Sequence, residues 1–384
     1  MTMQLTINRA NLLEALTKAV RAADARAVIP ILSHVLLEAS GDAVTLTASD
    51  LELFLHTRVP ATVDTPGSLA VPARVFLDVV RAMPGVDVRL AAADGSRLAV
   101  TSGKTKMHVV GLGGDDPYPA FPTTDGAPSL TVPGAALRAA LKRTQFAVAD
   151  PHSGKPFLMG VRMHWDGTQL TLAATDTYRM AHVTISDGVQ SDAPTIVCTL
   201  PPRLIGEVLR QTGAEAYTLS VSDAVVQVDD GATCFLGRLV EGQFPNIAFL
   251  FGQPYAARCA VPVDALKVAL QRALIVTRSD ESKSVTLDIA GDVLCVQSAS
   301  AAVGDAAEEL DVASIEGAAP LRIAFNPTFL SQVLDAVTSG SVILAGEAYN
   351  KPLRMRFTDE DDYVYLVTPL VTQAVTAESS RRAS

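Results

Sequence analysis

Apolar and polar positions recur along this chain in a pattern that returns twice. Leu12-Leu-Glu-Ala-Leu16, Leu137-Arg-Ala-Ala-Leu141 and Leu266-Lys-Val-Ala-Leu270 place leucines four apart, on one face of a helix. Each follows a short strand-like run: Gln4-Leu-Thr-Ile7, Ser129-Leu-Thr-Val132 and Arg258-Cys-Ala-Val261. A second helix pattern recurs in the same order, in Val71-Pro-Ala-Arg74 to Val80, Leu200-Pro-Pro-Arg203 to Leu209 and Phe325-Asn-Pro-Thr328 to Leu334. Proline suits a first helical turn, whose N–H groups lack helical partners. Self-similarity of this kind marks a repeat architecture.

Strands fill the remainder. Asp42–Ala48, Gly167–Ala173 and Gly291–Gln297 open on turn residues and then alternate. Runs from Arg97, Val225 and Leu353 each lead into a polar turn, as in a hairpin. Each unit is thus an α+β layer of two helices on antiparallel strands. Turn-rich stretches divide the chain into 1–125, 126–252 and 253–372, and 373–384 reads as a disordered tail.

Composition narrows the classes. No apolar run reaches membrane-spanning length, and the N-terminus lacks a basic stretch followed by a long apolar core. Cys198, Cys234, Cys259 and Cys295 are widely spaced and read as reduced structural thiols of a cytoplasmic protein. Net charge is −10, which alone argues against nucleic acid. Its distribution changes that picture. The helix segments 9–26, 72–83, 134–145, 201–212, 262–278 and 326–338 hold 14 basic and 6 acidic residues; the rest holds 17 and 35. Helices gathered on one side would present a positive wall to phosphates, independent of base sequence. Ordinary solvated helix faces account for the same count, and charge alone fits either reading.

Chemistry is harder to find. Ser102-Gly-Lys-Thr105 imitates the end of a phosphate loop, but Leu98 stands where its first glycine belongs. Asp359-Glu-Asp-Asp362 reads as an exposed turn rather than a metal site. His34, His56, His108, His152, His164 and His182 show no ligand spacing, and no serine-nucleophile elbow occurs. Neither catalytic residues, metal nor cofactor is expected.

With these features in order, the chain resembles the β subunit of bacterial DNA polymerase III, the sliding-clamp family, over about residues 3–371. The resemblance rests on Ile29-Pro-Ile-Leu32, Ser49-Asp-Leu-Glu52, Val71-Pro-Ala-Arg74, Thr175-Asp-Thr-Tyr-Arg179, Gly242-Gln-Phe-Pro245, Phe325-Asn326 and Tyr365-Leu-Val-Thr-Pro-Leu370. It implies three clamp domains per chain and a head-to-tail homodimer closed into a six-domain ring around duplex DNA. Such a ring is a non-catalytic processivity factor that tethers polymerase and repair proteins and is loaded by a separate ATP-driven loader. Arg26 and His152-Ser-Gly-Lys155 match positions near DNA in the family; the helix cations Arg81, Arg138, Lys142, Arg203 and Arg210 join them as candidate phosphate contacts.

The resemblance further implies a cleft for partner peptides ending in residues such as Leu-Phe. Its matching positions are Leu158, Thr175, Thr177, Tyr178, Arg179, Met180, Pro245, Phe249, Leu250, Leu366, Val367, Thr368, Pro369 and Leu370. Met107 and Val109 are expected to face Ile275 and Val276 of the partner. Three departures stand out: Thr177-Tyr178 where relatives often have Gly-His, Phe249 where arginine is common, and a tail beyond Thr368-Pro-Leu-Val371.

Overall fold

The computed structural model describes residues 3–92, 96–112, 117–251, 255, 257–277, 284–290, 292–312, 314–316, 321–338 and 340–370, the side chains of 248, 314–316 and 361 excepted. Arg278 and the 373–384 tail lie outside the described residues.

Each repeat runs strand, helix, strands, helix, hairpin. The first comprises β1 (Met3–Asn8), α1 (Arg9–Ala22), β2 (His34–Ser40), β3 (Ala43–Ser49), β4 (Leu53–Thr65), β5 (Gly67–Pro72), α2 (Ala73–Ala82), β6 (Asp87–Ala92), β7 (Arg97–Ser102) and β8 (Thr105–Val110). The second comprises β9 (Ser129–Pro133), α3 (Gly134–Thr144), β10 (Val161–Trp165), β11 (Leu170–Thr175), β12 (Arg179–Ile185), β13 (Ile196–Leu200), α4 (Pro202–Arg210), β14 (Ala216–Val221), β15 (Val225–Asp229) and β16 (Thr233–Arg238). The third comprises β17 (Ala257–Pro262), α5 (Val263–Thr277), β18 (Val285–Ala290), β19 (Val293–Ser300), β20 (Gly304–Asp311), β21 (Ser314–Glu316), β22 (Leu321–Phe325), α6 (Pro327–Ala336), β23 (Ser341–Gly346), β24 (Leu353–Phe357) and β25 (Glu360–Val367).

Local chemistry sets these elements. Asn8 caps α1, its side-chain oxygen accepting from the N–H of Ala10 and Asn11. Leu12, Leu16 and Ala19 then form the buried stripe that packs on β3, β4 and α2. Asn326 caps α6 in the same way, with Pro327 at its first turn. The helix pattern read from sequence runs past α1, which ends at Ala22. Asp24 accepts from the N–H of Arg26 in the following turn, so Arg26 stands beyond the helix rather than on it. Ser102-Gly-Lys-Thr105 is the β7–β8 hairpin, with Gly103 at φ 58°, where a glycine avoids a Cβ clash.

Packing divides the chain into two compact units, and these do not coincide with the repeats. One holds the first repeat with β9, α4 and β14–β16; the other holds α3, β10–β12 and the third repeat. The cause is strand pairing across repeat borders. β4 pairs with β16 inside the first unit, and β12 pairs with β25 inside the second. The first unit is a twelve-stranded sheet; the second has a nine-stranded and a four-stranded sheet.

Candidate functional site

The candidate phosphate contacts fall into two groups. Arg26, Lys142 and His152 are exposed and form no ion pair among the described residues. Lys155 is half-buried and its Nζ donates to the Thr177 hydroxyl at 3.1 Å. Other cations already hold anions: Arg81 pairs with Asp78 at 3.1 Å, Arg210 with Glu207 at 2.9 Å, and Arg203 with Asp50 and Glu52. Arg138 is half-buried. The formal helix charge therefore overstates the cations available to a phosphate. Arg143 is spoken for as well, bridging Glu360 and Asp362. That bridge also explains the acidic turn read from sequence: Glu360 is turned inward to an arginine, not outward to a cation site.

The strand β12 begins in a turn that the first repeat reproduces. Asp176 Oδ1 accepts from the N–H groups of Tyr178 and Arg179, and Thr175 Oγ1 accepts from Thr177 N–H. Before β4, Asp50 Oδ1 accepts from Glu52 and Leu53, and Ser49 Oγ from Leu51. Thr177 (φ 81°) and Leu51 (φ 76°) are the two non-glycine residues in the left-handed region among the described residues. Side-chain acceptors at fixed positions hold that costly conformation twice. One outcome is that Tyr178 projects outward, 61% exposed.

Arg179 goes the other way. It is buried, and its guanidinium donates to Asp176 at 2.9 Å, to the Phe146 carbonyl at 2.6 Å and to Gln332, while lying 4.4 Å from the Phe329 ring centroid. It braces the cleft from behind instead of lining it. Arg179→Ala would leave Asp176 and two further acceptors without their donor, so we expect a loss of about 3 kcal/mol or more in unfolding free energy. Urea unfolding should show this loss, and Tyr178→Ala, whose side chain is exposed, is expected to cost less than about 0.5 kcal/mol.

Other expected cleft residues divide likewise. Leu158, Thr175, Met180, Leu366 and Val367 are buried, the last in the β12–β25 ladder, where Met180 pairs with Leu366. Leu158 packs with Ala149, Ala173 and Phe244, and the Met180–Leu366 pair is the floor. Pro245, Phe249 and Leu370 are exposed, while Leu250, Thr368 and Pro369 are half-buried. Thr368 is fixed by two donations to the Tyr178 carbonyl, at 2.8 and 2.9 Å. A pocket opens beside this floor, lined by Leu250, Tyr255, Lys351, Pro352, Arg354 and Leu366. Tyr255, Lys351, Pro352 and Arg354 were not singled out as site residues from sequence; Tyr255 precedes β17 and the others lie at the start of β24, which no local motif marks.

The first repeat shows how such a floor is covered. Phe54 and Leu236 are the counterparts of Met180 and Leu366, each pair lying opposite across its ladder. There Phe121, from the segment after β8, packs edge-on to Phe54 with centroids 5.7 Å apart. Val225 and Leu51 complete that cluster. At the second ladder Met180 and Leu366 are buried as well, and Leu366 borders the pocket at Leu250 and Arg354.

Two strands lack the partner that repetition assigns them. β4 and β12 are equivalent, as are β16 and β25, and the two ladders share one register: Leu55 opposite Phe235, Ala181 opposite Tyr365. The third counterpart of β4 is β20, and the remaining counterpart of β16 is β8. Both stand at sheet ends: among the described residues β20 pairs only with β19 and β8 only with β7. Helices repeat the relation. Nine residues beyond Leu12, Leu137 and Leu266 stand Arg21, Phe146 and Ile275. Arg21 reaches Glu207 at 2.8 Å, and Phe146 packs on Tyr365 at 5.9 Å. Each thereby crosses to the neighbouring repeat. Ile275 is 68% exposed. Among the expected dimer residues, Met107 is likewise exposed, but Val109 is buried in its own unit and Val276 half-buried. Val109 lies opposite Leu98 in the β7–β8 ladder, on the same face of β8 as Met107.

Burial pushes the thiols of Cys198, Cys234 and Cys259 up to about 12, away from nucleophilic thiolates. Among the described residues no group of His, Cys, Asp and Glu could hold a metal ion.

Known proteins share the whole pattern. Family models for the N-terminal, central and C-terminal domains of the DNA polymerase III beta subunit match residues 3–122, 131–246 and 250–371. The beta sliding clamp of Staphylococcus aureus is 26% identical over 380 residues, covering 96% of this chain and 100% of that protein. A sliding clamp from Bacillus subtilis superposes with TM-score 0.91 at 24% identity, covering 97% and 100% of the two chains. A sliding clamp from Pseudomonas aeruginosa bound to griselimycin gives TM-score 0.87 at 25% identity, with the same coverage.

Proposed function

We propose, since this chain belongs to the DNA polymerase III beta subunit family, that two copies close head to tail into a six-domain ring that slides on duplex DNA and holds polymerase there. Its relatives are sliding clamps, which perform no chemistry themselves. The observation that carries the ring is the unmatched pair β8 and β20. Two of three equivalent junctions are satisfied within the chain; the third needs a second copy. Its closure would set Ile275 of one chain on Met107 of the next, as Phe146 sits on Tyr365. Sedimentation should give a particle of twice the 40.3 kDa chain mass; a monomer at micromolar concentration would overturn the ring.

DNA is held without base readout. Arg26, Lys142 and Lys155 are the cations, and His152 the further hydrogen-bonding side chain, that we assign to phosphate, with Arg81, Arg138, Arg203 and Arg210 contributing less because intramolecular partners or burial already engage them. Among the described residues no helix is long and apolar enough to cross a membrane. We place the protein in the cytoplasm with its DNA, its loader and its clamp-binding partners.

Partner peptides are assigned to the floor of Met180 and Leu366, between Tyr178, Phe249 and the pocket at Leu250 and Arg354. The ring of Phe121 on the equivalent floor supports this: what the chain supplies to one junction, a partner supplies to the other. Burying an aromatic or leucine side chain contributes roughly 1.5–3 kcal/mol. A fluorescent Gln-Leu-Asp-Leu-Phe peptide is therefore expected to bind at micromolar concentration, and Tyr178→Ala with Phe249→Ala to weaken it at least tenfold. Unchanged polarisation titrations with the double variant would place the peptide elsewhere.

A further inference from the structure

The turns before β4 and β12 share a strained residue and differ in what holds it. Leu51 stands at φ 76° and Thr177 at φ 81°, a region that side chains with a Cβ avoid and β-branched ones avoid most. Leu51 is half-buried and packs on two apolar clusters, one of Ile31, Leu32 and Ala70, the other of Phe54, Val225 and Leu236. Thr177 is exposed. Its N–H donates to Thr175 Oγ1 at 3.1 Å, and its hydroxyl accepts from Lys155 Nζ at 3.1 Å. A glycine, common here in relatives, would take this φ without strain and offer no hydroxyl. The threonine of this chain thus adds both the strain and the tether. On its other side the turn is fixed to the end of β25, for the Tyr178 carbonyl accepts from the N–H and the hydroxyl of Thr368. Lys155 has an anchored backbone: its N–H donates to Ser153 Oγ at 3.3 Å, and its carbonyl accepts from the N–H of buried Leu158 at 3.0 Å. The four-carbon stem that carries the ammonium is the part free to swing.

We infer that Lys155 is a positioning residue that couples the DNA path to the peptide cleft: its ammonium holds the Thr177 turn, and Tyr178 with it, until a phosphate draws that ammonium away. This rests on the phosphate and peptide sites assigned above. A phosphate oxygen is an ionised acceptor and forms a stronger bond to an ammonium than a neutral hydroxyl does. Once Lys155 turns to phosphate, the strained φ of Thr177 is opposed only by the hydrogen bonds to Thr175 and Asp176. Tyr178 then has more freedom, and a partner peptide must order it again at a cost in affinity. The coupling is therefore negative. It is also reciprocal, so bound peptide weakens the phosphate contact by the same factor. The first repeat has no equivalent, because Leu51 is held by apolar packing rather than by a displaceable ammonium.

Polarisation titrations of the full chain with the fluorescent Gln-Leu-Asp-Leu-Phe peptide test the tether first without DNA. Lys155→Met should weaken binding about three- to tenfold. Adding Thr177→Gly should restore it to within about twofold, because a glycine turn needs no tether. A lysine that merely attracted the aspartate of the peptide would show the same loss and no rescue, and that result overturns the inference. So does a Lys155→Met chain that binds peptide like the unsubstituted one. The titrations are then repeated with a saturating short linear duplex, onto which rings thread through the free ends, its own label reporting occupancy. The unsubstituted chain should lose about threefold or more in peptide affinity, while Thr177→Gly and Lys155→Met should not respond. Equal loss in all three chains, or loss in none with the duplex bound, refutes the coupling. An unsubstituted chain that binds duplex but no peptide fails the cleft reading instead, and one that binds no duplex fails the ring reading.

Discussion

Ile275→Asp is expected to yield a folded monomer. In a single chain Ile275 stands on the α5 surface, and aspartate there costs only a few tenths of a kcal/mol in helix propensity, with a small unfavourable contribution from the negative helix end. In the ring the same carboxylate would be driven onto Met107. An unpaired charge in such a contact costs about 3–5 kcal/mol, and a head-to-tail dimer has two of them. The combined loss is on the order of 6 kcal/mol or more, about four decades in dissociation constant. Val276→Asp is the poorer probe, because Val276 is half-buried in its own chain and its replacement would disturb folding as well. Far-ultraviolet dichroism and sedimentation together decide the matter: native helix content with a single-chain mass supports the seam, and an undiminished dimer at low micromolar concentration refutes it.

The second large effect is topological. Loaded onto nicked circular duplex, the protein should survive a wash in about 1 M salt, where the screening length falls to ~3 Å and phosphate contacts fail. Cutting the circle should then release nearly all of it. An ordinary phosphate binder would leave both forms alike, and equal retention on circle and line would end the encirclement model. The structure refines which cations matter for loading. Arg26→Glu and Lys142→Glu should lower it several-fold without changing the dimer, for neither forms an ion pair among the described residues. Arg203→Glu should alter loading less, since Asp50 and Glu52 already neutralise it, but should destabilise the chain by setting three carboxylates together.

What could be read early was whatever repeats. Leucines at helical spacing, alternating strands and the Ser49-Asp50 and Thr175-Asp176 turns follow from local rules, and local rules act three times over in a chain made of three copies. Candidate sites were legible only as far as residues occur together in sequence. Tyr178 and Phe249 prove exposed. Arg179, in the same motif as Tyr178, proves a buried brace because Gln332, Phe329 and the Phe146 carbonyl converge on it from distant segments. Helix charge was countable, but its availability was not, since Asp50 meets Arg203 only when the first repeat and α4 pack together.

By itself, then, the sequence determined the repeat, the element types, the buried stripe of each helix and the identity of the family. These depend on period and on side chains a few residues apart. Tertiary structure alone decided which strands join across repeat borders, which arginines remain open to a ligand, and which edges are left without a partner. Those outcomes depend on pairing between residues more than a hundred positions apart, as between β12 and β25, and no local pattern encodes a distance of that kind. The unmatched edges of β8 and β20 became visible only once the other two ladders had been placed.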